Sequence, residues 1–140
     1  MALDWGTRYV GIAIADELGI CAHPYGSWDP TQADFDTRIR VLCEEKGIGG
    51  VIVGLPLDLS GREDIVACAS RELAQRVAVA TGLEVRFIDE RFSSVQARKI
   101  LRKNGRRCRK SIETRIHAVS AALLLQTVLE SYRRSWALPR

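Results

Sequence analysis

No stretch of this sequence stays apolar for anything near the ~18 residues that carry a helix across a bilayer, so no α-helical membrane span is expected. Only Met1, Ala2 and Leu3 precede the first carboxylate, Asp4, and a signal peptide is not expected. Cysteine is sparse and scattered: Cys21, Cys43, Cys68 and Cys108 form no CxxC pair. With His23 and His117 the sole histidines, no zinc-binding spacing exists. Reduced thiols in a cytoplasmic protein are the expectation. Internal repeats, low-complexity segments and linkers are missing as well. What remains is 140 residues, 46% apolar and 27% charged, which suits one domain over 1–140 with a core of its own.

Acidic residues are also rare in one place, and that shortage is informative. Between Arg91 and Arg115 stand ten basic residues and one acidic residue, Glu113, a net +9. The rest of the chain has eleven basic and sixteen acidic residues, a net −5, and the two together give the overall +4. A solvated surface usually mixes the signs, whereas a polyanion-binding face does not. Arg98 and Arg102, and Lys99 and Lys103, repeat like charges at i,i+4, which weakens an isolated helix by a few tenths of a kcal/mol. Together with Arg91, Arg106, Arg107, Arg109 and Lys110 they form a candidate nucleic-acid track, to which Arg8 is added.

The pattern of apolar residues predicts a mixed α/β chain. The run up to Asp4 and Val10 to Ala15 read as two strands joined by the turn Trp5-Gly6-Thr7-Arg8, and Ile20 to Trp28 as a third, paired antiparallel with the second. Asp29 reads as a helix N-cap with Pro30 first inside, followed by Phe35, Ile39 and Leu42 at helical spacing and Gly47 at the stop. Gly50 to Leu55 is a continuous apolar strand of the buried parallel kind. A helix over about 63–81 turns Ile65, Leu73, Val77 and Ala80 to one face, and a strand over 84–88 delivers Asp89-Glu90-Arg91. Ser93-Ser94 opens a short basic helix that ends at Asn104-Gly105. Ser111 caps the last helix, which runs to about Tyr132 with Ile112, Ile116, Val119 and Leu123 as its buried stripe. Antiparallel strands first and βα units after them imply a mixed sheet in which the two βα units flank a central first strand, next to the strand ending at Leu55.

In that sheet Asp4 and Glu90 project from strand ends into one neighbourhood, and His117, near the start of the last helix, can reach it. A carboxylate at a buried strand end must be solvated, paired or metal-bound. Two carboxylates and an imidazole beside a +9 segment suggest hard divalent ions, Mg2+ or Mn2+, set against phosphate oxygens. Asp89 is set aside because neighbouring strand residues point to opposite faces.

These residues resemble the YqgF family, also called RuvX: RNase H-like proteins described as Holliday-junction resolvases or pre-16S rRNA nucleases. The landmarks are Asp4-Trp5-Gly6-Thr7-Arg8 with Gly11, Val51-Ile52-Val53-Gly54-Leu55-Pro56, Asp89-Glu90-Arg91-Phe92-Ser93-Ser94 with Ala97, and Ser120-Ala121-Ala122 with Leu125-Gln126. The resemblance implies an RNase H-like five-stranded sheet with helices on both faces. It also implies a metal site at Asp4 and Glu90 and a structured RNA or branched DNA as partner, bound by a monomer or a homodimer. The family's usual third acid falls at His117, a departure that related resolvases share in some cases. The short lead-in before Asp4 is a second departure and implies a start further upstream. Cleavage in rRNA 5′-end maturation is the leading expectation, with two alternatives. One is a DNA junction resolvase using the same site, and the other is a non-catalytic RNA-binding or transcription-associated factor. An actin-like ATPase, which also uses Asp-x-Gly-Thr, needs two domains that 140 residues do not supply.

Overall fold

The computed structural model describes residues 1–6, 8–56, 65–89 and 109–137, the side chains of 109–114 and 136–137 excepted. Within them lie five strands and three helices: β1 (Ala2–Trp5), β2 (Val10–Ala15), β3 (Ala22–Trp28), α1 (Phe35–Glu45), β4 (Val51–Leu55), α2 (Ile65–Thr81), β5 (Val85–Asp89) and α3 (Arg109–Ala137). The strands form one sheet in the order β3-β2-β1-β4-β5. The first three strands pair antiparallel, and β4 and β5 add in parallel. β1 is central, as expected, but both βα strands lie on the same side of it.

The alternation of each strand sorts its residues between two layers. Leu3, Val10, Ile12, Val51 and Val53 face α1 and α2, where Phe35, Ile39, Leu42, Leu73 and Val77 complete the larger core. Ala2 and Ala13 face α3 and meet Ala121, Ala122 and Leu125. Arg76 ties α2 to the start of α1, donating to Asp36 Oδ1 at 2.8 Å and to the Pro30 carbonyl at 3.1 Å. Gly47 and Gly82, at φ +61° and +68°, sit just past the ends of α1 and α2, where left-handed backbone favours glycine.

Several boundaries differ from the sequence reading for local reasons. Asp29 does not cap α1; its Oδ1 accepts the Thr31 N–H and hydroxyl at 2.9 and 2.6 Å, a turn of its own, and the helix begins at Phe35. β3 begins at Ala22 because the Ile20 N–H is taken by Asp16 Oδ1 at 2.7 Å. α3 starts at Arg109, so Ser111 lies inside its first turn, and it continues to Ala137, two residues short of Pro139. Its buried residues also differ from the expected stripe. Ile116 is buried, but Val119 and Leu123 are only half-buried, while Ala118, Ser120, Ala121, Ala122, Leu124 and Leu125 are buried. Ile65 is 87% exposed at the start of α2. The expected basic helix after Ser93 lies outside the described residues.

Candidate metal site at the carboxyl end of the central strand

Asp4 is the third residue of β1, opposite Gly11 of β2. Leu3 faces the α1–α2 core, so the alternation turns Asp4 to the α3 side. There its side chain is 2% exposed, and Asp4 is one of three buried polar or charged residues among those described. Its partner is His117, just over two turns into α3, whose Nδ1 lies 3.2 Å from Asp4 Oδ2. The imidazole is part-buried, with 22% of the side chain exposed. A buried carboxylate is thus matched by a ring nitrogen supplied from an element 113 residues away in sequence.

Two glycines make that contact possible. A Cβ at Gly6 would fall 2.2 Å from His117 Nε2, 2.5 Å from Cε1 and 2.6 Å from Cδ2. A Cβ at Gly11 would fall 2.0 Å from the backbone carbonyl carbon of His117 and 2.5 Å from the Ala118 nitrogen. The missing side chain of Gly6 leaves room for the ring, and that of Gly11 leaves room for the helix backbone. Gly6 also donates its N–H to the Tyr9 carbonyl at 2.8 Å, which closes the β1–β2 connection. Neither contact was anticipated from the sequence. A lone glycine inside the apolar run Val10 to Ala15 is nevertheless the ordinary signal of close backbone approach.

Arg8 is exposed beside this end of the sheet, its guanidinium 5.5 Å from the centre of the Tyr9 ring. It lies near Asp29, whose carboxyl is held below the usual range chiefly by the Thr31 hydroxyl and amide, with Arg8 adding less. Asp89 closes β5 opposite Leu55 of β4 and is exposed, so β4 stands between it and Asp4. Glu90, Arg91, Arg98, Lys99, Arg102, Lys103, Arg106 and Arg107 lie outside the described residues. Arg109 and Lys110 stand in the first turn of α3. A cleft of about 590 Å³ between α3 and β4–β5 is lined by Met1, Ile52, Arg86, Leu125 and Tyr132, at the opposite strand ends from Asp4. The buried carboxylate–imidazole contact makes the Asp4 end the better candidate.

The donor chemistry at Asp4 and His117 fits a divalent ion. Carboxylate oxygen and imidazole nitrogen are both ordinary ligands. Two adjacent ligands at ~2.1 Å from one octahedral ion stand roughly 3 Å apart, close to the observed 3.2 Å. Among the described residues these two are joined by no third His, Cys, Asp or Glu at ligand spacing.

Comparison with known proteins decides the family. The family model described as "RuvX: Holliday junction resolvase" matches residues 1–131. The chain belongs to the RuvX family. Among curated proteins, one from Dictyoglomus turgidum is 32% identical over 134 residues, covering 94% of this chain and 93% of that protein. Another, from Lactococcus lactis subsp. cremoris, is 37% identical over 136 residues, covering 94% of each. Both carry the name "Putative pre-16S rRNA nuclease". In three dimensions this RuvX-family chain is similar to Thermus thermophilus RuvC, solved in complex with a Holliday junction substrate. The TM-score is 0.52 at 15% identity, with 95% of this chain and 94% of that chain covered. The likeness establishes the RNase H-like fold. Among the described residues no helix is long and apolar enough to cross a membrane.

Proposed function

We propose that this RuvX-family protein is a divalent-metal-dependent nuclease of the cytoplasm that hydrolyses phosphodiester bonds near the 5′ end of pre-16S ribosomal RNA. The observation that carries the reading is the buried Asp4 carboxylate held 3.2 Å from His117 Nδ1 at the carboxyl end of the central strand. Its relatives' names supply the substrate. Asp4, His117 and Glu90 are the ligands in this reading, for Mg2+ or Mn2+. Two such ions, when bound, supply Lewis-acid stabilisation of the phosphate oxygens. The chain's own contribution is placement. β1 and α3 fix the two donors before substrate arrives, so little reorganisation is needed on binding. The basic residues from Arg91 to Lys110, with Arg8, hold the phosphates on either side of the scissile bond.

A branched-DNA substrate is the competing reading, favoured by the description of the matching family. The deciding assay incubates the wild type and Asp4→Asn with a pre-16S RNA fragment and with a four-way DNA junction, each with Mg2+, Mn2+ or chelator. Metal-dependent cleavage of the RNA by the wild type alone is expected. Cleavage of the junction in preference to the RNA moves the assignment to resolvase, and the solution mass then tests for the dimer that a two-fold substrate requires. RNA binding without cleavage under any metal sinks the enzymatic reading. Unchanged metal-dependent cleavage by Asp4→Asn removes Asp4 from the site.

A further inference from the structure

β3 stands at one end of the strand order, and its pairing to β2 is irregular. Ile12 pairs with Gly26 and Ala13 with Pro24, so Tyr25 is the extra residue of a β-bulge. A bulge and a proline both discourage a further strand from adding along this strand. The bulge re-aims one aromatic side chain, and Tyr25 is 48% exposed. A lone exposed tyrosine is ordinary, but this ring has company. Its centre lies 6.0 Å from that of Trp28, with the ring planes at 77°. The Arg38 guanidinium, from α1, stands 4.0 Å from the centre of the Trp28 ring. A Cβ at Gly26 would come within 3.9 Å of Trp28 Nε1, so the missing side chain gives the indole room. Trp28 is itself half-buried and packs against the α1–α2 core, which fixes the group before any partner arrives. Aromatic rings with an arginine among them are the usual means of holding unpaired bases.

The position of this group relative to Asp4 limits what can reach both. Trp28 pairs with Val10, and Val10 with Trp5, the residue after Asp4. Two strand spacings put Trp28 about 10 Å from β1 at the same end of the sheet. Trp28 faces the α1 side, however, and Asp4 the α3 side. A nucleic acid that touches both must turn around the end of the sheet, where exposed Arg8 stands beside Tyr9. A base-paired helix is too stiff for such a turn, since a DNA duplex stays straight over ~150 bp. An unpaired strand can make it, and its bases have free faces to stack. Asp29 lies near Arg8, so the signs of charge are mixed here and stacking, more than charge, supplies the attraction. Resting on the nuclease reading above, we infer that Tyr25 and Trp28, with Arg38, form a stacking platform for an unpaired RNA base beside the scissile bond. The substrate is then single-stranded next to the cut.

The test measures binding with the full chain and chelator present, so that nothing is cleaved. Fluorescence anisotropy gives the affinities for a short single-stranded RNA and for a blunt RNA duplex of the same sequence, over a range of salt concentrations. The proteins are the wild type, Tyr25→Ala, Tyr25→Phe and, as control, His23→Ala, an exposed residue earlier in β3. Melting curves check that each folds. The wild type is expected to prefer the single strand. Tyr25→Ala should weaken that binding by roughly 5- to 100-fold, and Tyr25→Phe, which keeps the ring, should restore it. The slope of log affinity against log salt should not change, because no phosphate contact is removed. A fluorescent base analogue in the RNA should be quenched by the wild type and not by Tyr25→Ala. Affinity in Tyr25→Ala within about twofold of wild type overturns the inference. Equal losses in Tyr25→Ala and Tyr25→Phe, the same loss in His23→Ala, or a wild-type preference for the duplex overturns it too. In any of these cases the nuclease reading stands if metal-dependent RNA cleavage is still lost in Asp4→Asn. A wild type that binds neither RNA overturns both. Should Tyr25→Ala fail to fold, Tyr25→Gln, which has a side chain without a ring, takes its place.

Discussion

Gly6→Ala separates the two demands placed on His117. The new methyl carbon would stand 2.2 Å from Nε2, and ordinary contact begins at 3.4 Å, so the ring edge must retreat by about 1.2 Å. The clash is with the end of a side chain, which can swing, and not with backbone. The helix therefore stays in place while Nδ1 leaves its 3.2 Å contact with Asp4. A displacement of ~1 Å in a positioned group is enough to cost ~10²-fold in rate, and a loss of that order in kcat/KM is expected. Stability falls less, by about 1–3 kcal/mol for a buried carboxylate deprived of its partner. At roughly 2–4 °C per kcal/mol, that lowers the melting temperature by several degrees. The assay is RNA cleavage and urea unfolding on the same preparations, with Gly49→Ala as control, since a Cβ there meets nothing within 4 Å. His117→Ala supplies the second arm of a cycle. Without the ring the methyl loses the three atoms nearest to it, so Gly6→Ala should cost far less stability in that background. Wild-type cleavage and metal affinity in Gly6→Ala, or strict additivity with His117→Ala, would refute the idea that Gly6 is a glycine because of the ring.

Gly11→Ala should behave differently, because its methyl meets the His117 carbonyl carbon at 2.0 Å and only a shift of the helix itself relieves that; a loss of about 3 kcal/mol or more is expected on urea unfolding. Gln126 accepts the Ala22 N–H at 2.9 Å and donates to the Ile20 carbonyl at 3.1 Å, so Gln126→Ala should lower stability by about 1–2 kcal/mol, read as a shift in the urea midpoint at constant slope. Replacing Arg98, Lys99, Arg102 and Lys103 with Gln should reduce the slope of log affinity against log salt by roughly 0.7–0.9 for each phosphate that is no longer neutralised, and an unchanged slope would show that this segment faces away from the nucleic acid. Burial pushes the Cys43 thiol up, so mass-spectrometric mapping after brief alkylation at neutral pH should find exposed Cys21 and Cys68 modified and Cys43 intact until denaturant is added.

Much of the sheet was legible because its signals are local. A continuous apolar run as short as Val51 to Leu55, bounded by Gly50 and Pro56, reads as a buried strand, and short connections between the first three strands force antiparallel pairing. Boundaries failed where a side chain satisfied the backbone in a way that composition does not reveal. Asp29 has the right identity for a helix cap but spends its oxygen on Thr31. The buried face of α3 was misplaced for a different reason. Periodicity picks out large residues, so Val119 and Leu123 were favoured, but this helix lies so close to the sheet that its inner side is lined by Ala118, Ser120, Ala121 and Ala122. At the site, the meeting of Asp4 and His117 was inferred from topology, whereas the reason it can occur, two missing side chains on β1–β2, involves contacts across more than 100 residues that no local pattern encodes.

That closeness has a consequence for how the site and the fold depend on each other. A helix held off a sheet by leucines can shift by small rotations, since large side chains repack at modest cost. A helix seated on Gly11, with alanines on both sides at Ala2, Ala13, Ala121 and Ala122, has no such slack, because the contacts involve backbone and β-carbons that have no other rotamer. The height of α3 above β1 is thereby set, and with it the reach of His117 to Asp4. Further along, Gln126 fastens the same helix to the β2–β3 turn, so rotation about its axis is also opposed. Among the described residues, the Asp4–His117 pair is thus positioned by the packing of one helix. Substitutions along the inner face of α3, several turns from His117, should therefore move metal affinity and stability together.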